Sequence, residues 1–172
     1  MSAKTNLLEA AADLARSDGV TALGVERVIH KAGVSKGAFF YHFANKDEMV
    51  RALLDHVSEG CMSRVNEAVA RGERFTDAFV DMVISEVRDS GALIAVLVAS
   101  VSLDPTLRET LTERRQAVRR RMIEEDGVPS DRATLLCLAI DGAMIGTVLY
   151  REGSGIDQVK KIAASLRHLL PE

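Results

Sequence analysis

Only three prolines interrupt the 172 residues, and the apolar side chains recur at three- and four-residue spacing almost throughout. A chain patterned this way buries one stripe per helix; strands need alternation, and none is visible. Leu7, Ala11, Leu14 and Ala15 mark the first stripe, which Gly19 ends. A short second helix is expected over 25–32, stopped by Gly33, and a third from an N-cap at Ser35 to Phe43. Asn45, with Glu48 three residues on, has the spacing of a capping box and opens a fourth helix reaching Arg71. Met49, Leu53, Val65 and either His56 or Val57 would line its inner side.

Further helices are expected from Thr76 to Arg88, Ala92 to Leu103, Thr106 to Glu125, a cap at Ser130 to Arg151, and Ile156 to Leu170. Asp104-Pro105, Gly127 with Pro129, and "EGSG" punctuate them. The expected fold class is all-α with about nine helices, without repeats or low-complexity tracts.

An apolar fraction of 47% with 27% charged residues suits a soluble chain with a real core. The net charge of −3 excludes a generic polyanion binder, so any nucleic-acid contact has to come from a local patch. Cys61 and Cys137 fit neither a metal-ligand spacing nor a disulfide framework; two reduced thiols in a cytoplasmic protein are expected. The first residues are amphipathic and carry acids, unlike a secretory signal. The runs "GALIAVLVASVSL" and "ATLLCLAIDGAMIGTVLY" are too short, or interrupted by Asp141 and glycines, so no membrane span is expected. His30, His42, His56 and His168 are scattered, which gives no metal site, no cofactor and no nucleophile–base pair; the chain is not expected to be an enzyme.

The segment "KAGVSKGAFFYHFANK", 31–46, holds three lysines, no acid, and four of the chain's seven Phe and Tyr residues. Two short helices joined at Gly33-Val34-Ser35 form a helix-turn-helix, with Gly33 free to take positive φ and Val34 plugging between the helices. From Arg27 to Lys46 there are four Lys or Arg residues and no Asp or Glu, a basic patch that the overall charge conceals. The second helix would enter the major groove with its N-terminal end leading. There Lys36 can reach a guanine edge or a phosphate, Gly37 allows close approach, and the Ala38 methyl can meet a thymine methyl. The helix starts at Ser35 and at Asn45-Lys46 offer free N–H groups to phosphates.

"AGVSKGAFFYHFANKDEM" resembles the DNA-binding segment of the tetracycline-repressor (TetR) family of bacterial transcription regulators, in register from the turn to the start of the fourth helix. The close resemblance covers roughly the first 50 residues, while the remainder is similar only in its all-α plan. It implies groove or base contacts from Ser35, Lys36, Gly37, Ala38 and Tyr41, and phosphate contacts from His42 and Lys46. It implies that Phe39 and Phe43 pack the recognition helix onto the first helix. Two departures stand out: Phe40 replaces a frequent tyrosine, and Gly24 replaces the usual Ser or Thr cap of the second helix, which puts Thr21 forward as a substitute phosphate contact. The division implied is a DNA-binding unit over 1–46 and a ligand-binding and dimerisation unit over 47–172.

One helix-turn-helix makes too few contacts for a specific site, so a homodimer on a pseudo-palindromic double-stranded operator is expected. Ala139, Gly142, Ala143 and Gly146 put small residues on one side of the eighth expected helix, with Leu135, Leu138 and Leu149 around them. Val159, Ala163, Leu166 and Leu170, with Ile156, recur at helical spacing in the ninth. The competing reading is that both stripes pack within their own subunit. For a small-molecule effector the resemblance implies a cavity among the fourth to eighth helices. Apolar candidates there include Val57, Met82, Leu97, Val101 and Met144, and polar ones Cys61, Ser85, Ser100 and Asp141, a set suited to a small, largely apolar ligand. The run "RRQAVRRR", 114–121, reads as a solvated face paired with Glu113, Glu124 and Glu125. The function expected is a repressor released from its operator by ligand; activation, ligand-independent regulation, or a helical adaptor for an acidic protein partner would use the same parts.

Overall fold

The computed structural model describes residues 2–19, 23–90 and 105–149, together with residue 165. They form α1 (Ala3–Asp18), α2 (Val25–Ala32), α3 (Lys36–His42), α4 (Lys46–Ala70), α5 (Phe75–Ser90), α6 (Pro105–Glu124) and α7 (Ser130–Leu149), with no strand among them. The helices expected over 92–103 and 156–170 lie outside the described residues. No helix among the described residues is long and apolar enough to cross a membrane.

Side-chain caps set three of the helix starts. Ser2 Oγ accepts from Thr5 N at 3.1 Å, Ser35 Oγ from Ala38 N at 3.1 Å, and Asn45 Oδ1 from Glu48 N at 2.9 Å. Each such cap contributes about 1 kcal/mol. The return arm of the box at α4 reaches one residue further back than its usual target, with Glu48 Oε2 accepting from Ala44 N at 2.6 Å. Gly24 caps α2 with no side-chain bond. Ser130, expected as a cap, is instead the first helical residue of α7, because the Pro129 carbonyl accepts from Ala133 N at 2.9 Å.

Two apolar cores share α4. The first gathers Leu7, Ala11, Leu14, Val28, Phe39 and Phe43 from α1–α3 and their turns, with Met49, Leu53, Leu54 and Val57 from the front half of α4. The second joins Val65 and Ala68 of the back half to Phe75 and Val83, to Met122 and Val128, and to Leu136 and Ile140. The first core therefore runs past residue 46, as far as Cys61. Burying an apolar side chain contributes about 1.5–3 kcal/mol, so α4 is fastened at both ends and connects the two cores.

The start of α5 is held from 50 residues away. Asp126 Oδ1 accepts from Phe75 N at 3.2 Å and Oδ2 from Thr76 N at 2.6 Å, while the Asp126 carbonyl accepts from Arg74 at 3.3 Å. A carboxylate on free N–H groups at a helix start gains both hydrogen bonds and the favourable end of the helix dipole.

The arginine run is only in part the solvated face expected from the sequence: Arg115 and Arg120 are exposed, yet several of its side chains bridge to other helices. Arg114 reaches Asp55 of α4 at 2.6 Å, Arg115 reaches Asp141 of α7 at 3.0 Å, and Arg119 donates to Ser130 and Thr134. Arg121 bonds Glu125 at 2.5 Å and Asn66 at 2.8 Å, with its guanidinium 3.9 Å from the Phe75 ring centre. A planar, five-donor head on a long stem can bridge helices in this way, and the one-helix pairing rule does not anticipate it. Among the described residues, only the Arg121–Glu125 pair follows the pattern read from the sequence.

Gly60 lies inside α4 with an unstrained backbone, and an added Cβ would meet nothing within 4 Å. Packing within the described chain does not require a glycine there. Gly60→Ala should stabilise the fold by about 0.5–1 kcal/mol by removing glycine's backbone entropy. A chemical-denaturation midpoint that fails to rise would show that α4 is strained at this turn.

Candidate nucleic-acid interface

The turn between α2 and α3 closes as a helix C-cap. Gly33 takes φ 65°, ψ 31°, its N–H bonds His30 O at 3.2 Å, and the Val34 N–H bonds Ile29 O at 3.3 Å. Left-handed backbone costs a side-chain-bearing residue 1–2 kcal/mol, roughly, which explains the glycine. Val34 packs half-buried against the first core. From this turn α3 emerges with two of its rings committed inward, since Phe39 is fully buried and Phe43 behind it is 1% exposed. Their ring centres lie 5.6 Å apart.

The opposite side of α3 is open. Tyr41 is 84% exposed and Phe40 50%, while Lys36 and Gly37 are exposed and Ala38 half-buried. His42 is half-buried with its ring edge-on to Tyr41 at 4.9 Å. Lys46 is exposed in the first turn of α4. Ser35 stands at the same end, with its hydroxyl engaged as the cap. The structure thus brings Ser35, Lys36, Gly37, Ala38, Tyr41, His42 and Lys46 to one end of the fold; Thr21 lies outside the described residues.

The basic patch is smaller than the sequence suggests. Arg27 is paired with Asp18, and Lys31 stands 3.6 Å from Asp13, both acids belonging to α1. The Arg27 hydrogen bond holds the Asp18 carboxyl below its usual range. Lys36 and Lys46 form no ion pair among the described residues. A window limited to Arg27–Lys46 omits α1, whose acids the fold returns to α2.

Among the described candidate ligand residues, only Val57 and Cys61 share a cavity. Val57 and Cys61 line a cavity of about 490 Å³ between α1, α4 and α5, with Glu9, Ala12, Arg16, His56, Gly60, Arg64 and Glu86 among its other walls. Met82 packs between the two cores and Met144 against the second, Ser85 is half-buried, and Asp141 pairs with Arg115. Leu97, Ser100 and Val101 lie outside the described residues. Burial pushes the Asp141 carboxyl up, with Arg115 opposing.

Glu86 is the residue that sequence reasoning missed. It is 3% exposed, with Oε2 at 3.1 Å from Arg64 and 3.6 Å from the Cys61 thiol; Oε1 has no hydrogen-bond partner among the described residues. A signal existed, because Phe75, Phe79, Met82, Val83 and Glu86 share one helical stripe, and a charge in a core stripe needs a partner. Across the same cavity His56 Nε2 contacts Glu9 at 2.9 Å, tying α4 to α1.

Both cysteines are buried and free, and burial raises both thiols above the ordinary range; at Cys61 the Glu86 charge adds to it. Raised thiols hold less thiolate at neutral pH. Neither should react with a disulfide reagent within minutes at pH 7.5 in the folded protein, whereas both should react at once in guanidinium. Prompt native-state release of one equivalent would refute the assignment of both as inert.

Leu135 and Leu138 of α7 are 55% and 52% exposed, and Gly142, one turn on, is exposed with nothing within 4 Å of an added Cβ. Ala139 is half-buried beside them, whereas Ala143 turns inward onto the second core. The stripe therefore divides, and packing among the described residues accounts for Ala143 and not for the two leucines. The surroundings of Gly146 and Leu149, and residues Val159, Ala163, Leu166 and Leu170, lie outside the described residues.

Residues 7–53 match the family "Bacterial regulatory proteins, tetR family", and residues 73–171 match "Tetracyclin repressor-like, C-terminal domain". The chain belongs to the TetR family. The helix-turn-helix described above falls within the first of these TetR matches. The HTH-type transcriptional regulator UidR of Escherichia coli (strain K12) is 21% identical over 118 residues, 67% of this chain and 60% of UidR. The chain thus covers less than two thirds of the length of the curated relatives it matches first. A transcriptional regulator from Rhodococcus sp. Rha1 superposes with a TM-score of 0.76 at 22% identity, over 98% of this chain and 96% of that one. Multidrug binding protein EbrR, complexed with imidazole, gives 0.73 at 20% identity, over 100% and 97%. These structural likenesses show a shared fold and nothing further.

Proposed function

We infer that this TetR-family chain is a homodimeric regulator that occupies a pseudo-palindromic DNA operator and represses until a small ligand releases it. The observation that carries this reading is the division of α3, with Phe39 and Phe43 anchored inside and Lys36, Gly37 and Tyr41 presented outward. A rigid, exposed helix start with a lysine, a glycine and an aromatic hydroxyl suits entry into a major groove. Lys46 and the N–H groups opening α4 would meet the flanking phosphates. The open Leu135–Leu138–Gly142 face of α7 supports pairing with a second copy, which one short helix-turn-helix needs for specificity. Residues 1–46 would then carry the DNA contacts, and 47–172 the ligand and dimer surfaces.

Release requires a ligand that binds the two conformations unequally, since equal affinity shifts nothing. α4 belongs to both cores, so a tilt of α4 would move the recognition helices of a dimer relative to successive major grooves. The test is selection of fragmented genomic DNA on the purified protein at near-physiological salt. A pseudo-palindrome should be enriched, and lost when Lys36 and Tyr41 are changed to Ala. A folded dimer that enriches no sequence would overturn the regulator reading in favour of an adaptor for acidic proteins.

A further inference from the structure

The fold does not treat the four cations between Arg27 and Lys46 alike. Lys36 and Lys46, at the starts of α3 and α4, are exposed and form no ion pair among the described residues. Arg27 and Lys31, one turn apart on the exposed side of α2, are both held by acids of α1. Asp18 pairs with Arg27, and Asp13 stands 3.6 Å from Lys31 and 3.6 Å from Arg16 of its own helix. Stability does not explain these acids. The four side chains of the α1–α2 pairs are between 39% and 57% exposed, and ion pairs so exposed contribute little to folding. Asp18 is moreover the last residue of α1, the end at which the helix dipole disfavours a negative charge. Its carboxyl is nonetheless held below its usual range, chiefly by the Arg27 hydrogen bond, so the pair remains charged on both sides.

The first helix of a helix-turn-helix crosses the DNA backbone, which is where cations on α2 would act. Phosphate contacts carry no sequence information; each one strengthens binding to every duplex and steepens its salt dependence. We propose that Asp18 and Asp13 are intramolecular competitors of DNA, which occupy Arg27 and Lys31, withhold them from phosphates and so lower the sequence-independent share of binding. The open lysines at the starts of α3 and α4 then work beside the base contacts of α3, without two further cations that would hold the protein on any sequence. The inference rests on the operator-binding reading and concerns the selectivity of that same surface.

Anisotropy titration of the full chain with a labelled random-sequence duplex, between about 50 and 200 mM salt, tests the idea without the operator. Asp18→Asn should tighten binding by about fivefold or more at about 100 mM salt. It should also steepen the slope of log K against log salt by about 0.9 for each protomer engaged, the mark of one added phosphate contact. Arg27→Gln alone should leave the slope at its wild-type value. Asp18→Asn combined with Arg27→Gln has the net charge of the wild type and should return both affinity and slope to it. If Asp18→Asn does not fold, Asp13→Asn with and without Lys31→Gln makes the same comparison through the other pair. Unchanged binding by Asp18→Asn overturns the proposal. A shallower slope in Arg27→Gln overturns it too, because that arginine would already lie on a phosphate. So does a gain that survives in the combined variant, since Asp18 would then act through its field alone. An enriched operator beside any of these three results refutes only the competition; no DNA binding by any variant at low salt removes the regulator reading with it.

Discussion

Gly37→Gln is expected to weaken operator binding by about 100-fold or more without loss of fold stability. The two halves of this expectation come from different parts of the structure. A Cβ at Gly37 would meet only Ser35 Oγ, at 3.8 Å, an ordinary contact, so the protomer accommodates the side chain. Gln is also a better helix former than Gly by about 0.5–1 kcal/mol, so the melting temperature should stay level or rise. On DNA the same side chain projects from the leading turn of α3, between Lys36 and Ala38, where the backbone has to come close to the base edges. Holding the helix a few ångströms off the groove removes several contacts together, each worth about 1–3 kcal/mol. Binding to the selected operator, measured by fluorescence anisotropy at fixed salt, decides the matter. Retention of wild-type affinity would mean that α3 does not enter the groove by its N-terminal end. A uniform loss on operator and random DNA alike would make Gly37 a phosphate-side residue.

What the sequence made legible follows from the range of the interactions involved. Helix stripes, the Gly33 turn and the Ser35 and Asn45 caps are local, set by residues within a turn or two of one another, and the structure displays each of them. The inward placement of Phe39 and Phe43 against α1 is long-range and was implied by the family resemblance alone. Asp126 capping α5 and Arg114 reaching Asp55 join residues 50 and 59 positions apart, and no periodicity encodes them. The reduced basic patch has the same origin: Asp13 and Asp18 read as ordinary surface acids of α1 until the fold sets that helix beside α2. Glu86 lies between these cases. Its place on an apolar stripe was visible, yet the orphaned oxygen depends on how α4 and α5 pack. The α7 stripe divides for the same reason, because spacing locates an apolar face but does not say whether the protomer covers it.

Leu135→Glu combined with Leu138→Glu carries the second large expectation, a shift from dimer to monomer. Residues 135, 138 and 142 follow helical spacing along one face of α7, and that face is open in the protomer. With each leucine about half exposed, burial against a partner recovers about 1 kcal/mol per side chain. Closed two-fold symmetry places both leucines of both copies in the interface, so about 4 kcal/mol, roughly 1000-fold in the dimer constant, depends on these two positions. Glutamate matches leucine closely in helix propensity, so α7 itself should persist. Four carboxylates at the symmetric contact would add repulsion and desolvation to the lost burial. Sedimentation equilibrium at micromolar protein should show monomer, with far-ultraviolet circular dichroism unchanged, and operator binding should fall with dimerisation because each half-site then binds independently. Any drop in melting temperature should track protein concentration in the unmodified chain, since dimerisation stabilises by mass action. A double variant that stays dimeric would move the interface off this face of α7, and the exposed leucines would then need a different partner.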